Sequence, residues 1–132
     1  MKKLVLVLLS GLITACAATD SHVNSTALET YVAEDVTAQI SRDYPAANTT
    51  IAFNARDNFG SKLSQDLRAK GFAVSDNNAS DSKKLSIVLD EVYKGLYRVT
   101  YTIDGYEVFA RAYVIDMQSG VKPSGSWTKI GN

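Results

Sequence analysis

The chain has 132 residues, with 14 basic and 14 acidic side chains, one cysteine and one histidine. That length supports one compact domain with a real core but not two. The even charge lacks the basic excess of a nucleic-acid footprint, and one thiol with one imidazole excludes both an internal disulfide and a Cys/His zinc site.

Met1-Lys2-Lys3 is a short cationic start, and Leu4 to Thr14 is an uncharged, largely apolar run ending at the small residue Ala15. Basic, hydrophobic and small-residue regions in that order are the architecture of an export signal. The run is too short for a permanent span, which needs roughly 20 apolar residues. Leu12-Ile13-Thr14-Ala15-Cys16 resembles the bacterial lipobox, an aliphatic residue and two small ones before a cysteine. The resemblance implies a signal peptide over residues 1–15, diacylglycerol and palmitate on Cys16, and cleavage just before it. No other cofactor is expected. An ordinary secretory signal with an incidental cysteine is the plainer reading of the same residues. Buried acyl chains contribute about 0.8 kcal/mol per CH₂, and two or more anchor stably. Lipoproteins of this kind are sorted partly by the residue after the cysteine. Ala17 there, rather than aspartate, implies the periplasmic face of an outer membrane. Lys2 and Lys3 leave with the signal, so the mature chain carries 12 basic against 14 acidic groups, and no direct nucleic-acid binding is expected.

Residues 16–24 read as a lipidated tether. Ala17 to Asn24 is small and polar without periodicity, and eight such residues reach at most roughly 25 to 30 Å. Residues 25–132 read as a single α+β periplasmic domain. Thr26-Ala27-Leu28-Glu29 fits a Thr-x-x-Glu capping box. Leu28, Val32, Val36 and Ile40 then form one apolar stripe, read as packing surface, and Pro45 ends the helix. Thr49 to Ala55 is β-rich. Asp57-Asn58 can cap a second helix with Phe59, Leu63 and Leu67 on one face, Gly71 suits its C-terminus, and Phe72 to Val74 resumes a strand. Strand, helix and strand in that order imply a βαβ or ββ-flanked unit. Ser75 to Lys84 reads as a surface loop.

The C-terminal half reads as a meander. Leu85, Ile87 and Leu89 alternate with Ser86, Val88 and Asp90, and Tyr97, Val99, Tyr101 and Ile103 alternate with Arg98, Thr100 and Thr102. Asp104-Gly105 suits a two-residue type I′ hairpin, and a third strand follows from Tyr106 to about Ile115. With that loop, Ile103 faces Tyr106 and Arg98 faces Arg111. With Tyr93-Lys94-Gly95 as the preceding turn, Asp90 faces Arg98. The row Asp90, Arg98, Arg111 has two readings: guanidinium forks holding a partner's carboxylate or phosphate, or mutual neutralisation on an exposed face worth at most about 1 kcal/mol per pair. The third strand carries large groups on both parities, with Phe109 and Tyr113 on one of them, so both of its faces need cover. Helices can supply one side and a partner the other. Arg98, Phe109, Arg111, Tyr113 and Trp127 are thus the candidate docking residues. The expected fold is two helices on a mostly antiparallel sheet.

"ARAYVID", Ala110 to Asp116, followed by "KPSGSWTK", Lys122 to Lys129, resembles the C-terminal signature of the conjugal-transfer lipoprotein family TrbH, and the lipobox and length agree. The resemblance implies a structural outer-membrane lipoprotein of a plasmid type IV secretion apparatus, acting in mating-pair formation. Its partners would be the outer membrane, through lipid, and secretion-channel core proteins within a larger oligomer. The order of elements is also similar to the small αβ domains at the N-terminal, periplasmic ends of secretins, which speaks to fold alone.

The inventory offers little for catalysis. His22 lies in the expected tether, Cys16 is consumed by acylation, and Asp90 and Glu91 point to opposite faces of a strand. No enzyme is expected. Two functions remain open: an assembly component of an envelope channel, or a stand-alone envelope lipoprotein binding peptidoglycan or an envelope protein through a tyrosine-rich sheet.

Overall fold

The apolar stripe of the first helix sits where its spacing places it. In a computed structural model that describes residues 17–76 and 81–130, α1 spans Thr26–Asp43 and buries Leu28, Val32, Val36 and Ile40 completely. The second helix, α2, spans Asn58–Ala69, with Phe59, Leu63 and Leu67 equally buried. Both stripes pack on one face of an eight-stranded sheet, against Leu85, Ile87, Leu89, Val99, Tyr101 and Ile103. The expected signal peptide and Cys16 lie outside the described residues.

The strands are β1 (Thr19–Ser21), β2 (Thr50–Ala52), β3 (Ala73–Ser75), β4 (Lys83–Tyr93), β5 (Leu96–Ile103), β6 (Glu107–Asp116), β7 (Gly120–Pro123) and β8 (Thr128–Ile130). Their order is β3-β2-β4-β5-β6-β7, with β1 also on β4 and β8 also on β6. The long strands form the antiparallel meander, whereas β1, β2 and β3 pair in parallel. The fold is α+β, as the order of elements implies. Thr50 to Ser75 closes as a parallel strand–helix–strand unit, with Gly71 at φ 103° ending α2. Positive φ there favours glycine.

Three local expectations are corrected. The cap of α1 is Ser25, not Thr26: its hydroxyl accepts from the Leu28 amide at 3.1 Å. Glu29 is instead engaged by the Ser21 hydroxyl. The expected tether is part of the sheet. Ala18 and Thr19 are buried, and β1 runs parallel to Ile87–Leu89 of β4.

The third correction concerns register. Asp104 and Gly105 take positive φ, 55° and 80°, as a type I′ turn requires, and the Tyr106 amide closes it on the Ile103 carbonyl. Pairing then resumes one residue later than expected, Ile103 opposite Glu107, because Tyr106 is extruded as an extra residue and stands 72% exposed. One residue of slip exchanges the two faces of a strand. Phe109, Arg111 and Tyr113 therefore point toward the helices, and Arg98 faces Ala112 instead of Arg111. Asp90 does face Arg98, but not through the expected Tyr93-Lys94-Gly95 turn: Tyr93 pairs with Leu96, so Lys94-Gly95 forms the loop, and the ladder shifts between Glu91 and Tyr93.

The junction of β1 and α2 is tight. A methyl group on Gly60 would lie 2.3 Å from the Thr19 hydroxyl and 2.9 Å from the Ala55 Cα. Gly60→Ala is expected to destabilise the domain by about 1–3 kcal/mol through overpacking, read from urea midpoints. The cost should shrink in a Thr19→Ala background, which removes the nearer clash.

Candidate anchoring and docking surfaces

The first five described residues, Ala17 to Ser21, form a wedge. Next to the start of β4, the neighbouring position belongs to β2, with Ile51 opposite Lys83 and Ala52 opposite Lys84. Three residues on it belongs to β1, with Thr19 opposite Ile87. The chain at Ala18 sits between the two: it bridges Asn54, the Asn54 amide donates to the Ala17 carbonyl at 3.1 Å, and the Ile87 amide donates to the Ala18 carbonyl at 3.0 Å.

Asp57 locks this wedge from the side. Its Oδ1 accepts from the Gly60 amide at 2.8 Å, the N-cap bond of α2, and from the Thr19 hydroxyl at 3.2 Å. Its Oδ2 accepts from the Ser21 amide at 2.9 Å. Thr19, fully buried, accepts in turn from the Arg56 amide. One carboxylate thus satisfies a helix terminus and a strand together, each charge-assisted bond being stronger than a neutral one. One shallow groove of about 460 Å³ borders the end of β1 and includes Ser21, His22, Glu91 and Tyr97; another, of about 440 Å³, lies between α2 and β3 and includes Asn54, Arg68 and Val74. His22 is therefore held by the fold, its amide donating to the Leu89 carbonyl at 2.8 Å.

Four of the five candidate docking residues serve the interior. Phe109 is 3% exposed and stacks on Tyr101 with ring centroids 4.8 Å apart. Tyr113 is fully buried and donates to Asp35 of α1 at 2.7 Å. Burial and that acceptor push its phenol well above its ordinary range. Arg111 gives both Asp35 oxygens a hydrogen bond, at 3.1 and 2.8 Å, and its Nε donates to the Gly125 carbonyl. Its guanidinium also lies over the Trp127 ring, 5.7 Å from the centroid. Trp127 packs edge-on against Tyr101. These contacts pin the break between β7 and β8, which share the outer edge of β6.

Arg98 alone remains on the surface, 3.5 Å from Asp90 on the sheet face opposite the helices. The row Asp90, Arg98, Arg111 is thus split between two faces. On the face opposite the helices, Val88, Thr100, Ala110 and Thr128 lie in one cross-strand row, and among the described residues neither helix reaches it. The two most exposed tyrosines, Tyr93 at the end of β4 and Tyr106 in the β5–β6 turn, lie at opposite ends of β5. They form no shared stacking platform.

Among the described residues no helix is long and apolar enough to cross a membrane, and no group of three potential ligands for a metal occurs. Sequence reasoning missed the Asp57 clamp and the Asp35 node. Gly60, three residues after a capping aspartate, was the one signal of close approach at the first; nothing in the pattern marked the second.

Helices on one face, an anchored N-terminal strand and a broken edge strand define a small α+β module without a deep cleft among the described residues. The family model for conjugal transfer protein TrbH matches residues 13–131. The chain belongs to the TrbH family and is a conjugal transfer component. No curated protein and no solved structure matches the chain.

Asp35→Ala leaves the Arg111 guanidinium and the Tyr113 hydroxyl without their acceptor, and is expected to cost about 2 kcal/mol in chemical denaturation. Arg98→Ala, on the exposed pair, should stay within about 0.5 kcal/mol. The buried Tyr101 hydroxyl finds no partner among the described residues, so Tyr101→Phe should be neutral or stabilising in the same assay.

Proposed function

We propose that the protein is a non-catalytic outer-membrane lipoprotein that serves as a structural component of a type IV conjugal DNA-transfer apparatus in mating-pair formation. Acyl chains on Cys16 hold the domain at the periplasmic face of the membrane, and the domain contacts channel core proteins within a larger oligomer. The observation that carries this reading is the family match, which begins at residue 13 inside the lipobox-like segment and runs to residue 131. Ala17 after the cysteine supports the outer-membrane destination.

The geometry supports a revised docking surface. Phe109, Arg111, Tyr113 and Trp127 are engaged internally, so the partner contact falls to the sheet face carrying Val88, Thr100 and Arg98. The alternative of a glycan-binding lipoprotein loses its main support, because Tyr101 and Tyr113 are buried.

Cys16→Ser is expected to abolish palmitate labelling and to reduce mating frequency at least a hundredfold, while circular dichroism and the urea midpoint of the soluble domain stay unchanged. Normal transfer by the unacylated variant would refute the anchoring role.

A further inference from the structure

The distance between the acylated residue and the folded domain is set by the wedge around β1. If Cys16 carries lipid, as the reading above holds, only Ala17 separates it from Ala18, which is buried and hydrogen-bonded into the sheet. Consecutive Cα atoms are about 3.8 Å apart, so Cys16 lies at most roughly 7 Å from Ala18. Ala17 itself is held, its carbonyl taking the Asn54 amide.

We infer that the domain is mounted flush on the phospholipid leaflet, with the surface around Asn54, Ala55 and Arg56 against the headgroups. Asn54 is the bridging partner of Ala18, and all three residues are exposed. The segment supplies one cation, Arg56, and no carboxylate. The adjacent Asp57 has both oxygens committed to Gly60, Thr19 and Ser21. A guanidinium next to a fixed acyl anchor suits lipid phosphate. The occupant is therefore the bilayer surface itself, argued from the length of chain between anchor and fold. Lengthening that chain is the direct perturbation.

β1 can leave the sheet only by breaking the bonds of Thr19 and Ser21 to Asp57 as well as the ladder to β4. Attachment height is consequently fixed by the fold.

The test uses the full acylated protein in vesicles of phosphatidylethanolamine and phosphatidylglycerol. With the Cys16 thiol acylated, Asn58→Cys, exposed at this end and leaving Arg56 in place, provides one free thiol for a fluorophore, and headgroup-nitroxide lipids quench it by contact. A second version carries about twelve Gly-Ser residues between Ala17 and Ala18, which keeps Ala17 after the cysteine and lets a spacer carbonyl replace that of Ala17. Such a spacer adds about 20 Å of root-mean-square reach. Strong quenching in the native-length protein, falling at least twofold with the spacer, is expected. Equal quenching in the two proteins, with acylation proven by mass spectrometry, would overturn the flush mounting and leave the lipoprotein reading standing. An unmodified thiol at Cys16 would overturn both. Ala55→Cys, also exposed at this end, gives the same readout if Asn58→Cys unfolds.

Discussion

The carboxylate of Asp57 governs how the N-terminus meets the rest of the molecule. A helix N-terminus leaves amides unsatisfied, and an aspartate cap normally answers only those. Here the same group also holds Thr19 and Ser21, so the capping of α2 and the docking of β1 stand or fall together. Gly60 belongs to the same arrangement, because only a residue without a side chain allows Thr19 to approach the helix so closely. Three polar residues that carry no hydrophobic signal are thereby drawn into a sheet.

A second constraint decides which face of β6 meets the helices. The Asp104-Gly105 turn alone leaves the register open by one residue. Extruding Tyr106 places Phe109 and Tyr113 inside, where large aromatic side chains remove far more apolar surface from water than Val108 and Ala110 would. Arg111 follows them inward because it shares their parity. Its charge is met there by Asp35 and by the face of Trp127, which turns a costly inward arginine into the clasp between α1, β6 and the edge loop.

What was legible in the sequence follows from these two cases. The stripes Leu28–Ile40 and Phe59–Leu67, the Asp57 cap, the Gly71 terminus and the Asp90–Arg98 pairing all rest on local periodicity or turn chemistry, and each holds in the structure. β1 was not legible, because a strand made of Thr, Asp and Ser is stabilised by a carboxylate 36 residues away. The face of β6 was not legible either. Both parities carry apolar residues, so the choice depended on a bulge that no turn rule specifies. Phe109, Arg111 and Tyr113 were expected on the outer face for that single reason, whereas Arg98 on β5 keeps its exposed side; the contact of Trp127 with Tyr101 is tertiary and lies beyond any local pattern.

The two constraints together bear on how such a module works in an assembly. In the proposed reading the lipid fixes the domain to a plane, and a locked β1 removes the slack that would let it search for partners. A module with a long tether gains reach but dilutes its binding face over the volume swept by the linker. A module without slack has little reach, and its effective concentration is high only for a neighbour already at the right height and orientation. That behaviour suits a fixed part of a channel better than a scavenger of soluble ligands. It also explains why an ordered N-terminal strand, which adds little apolar burial of its own, is held by a charge-assisted clamp.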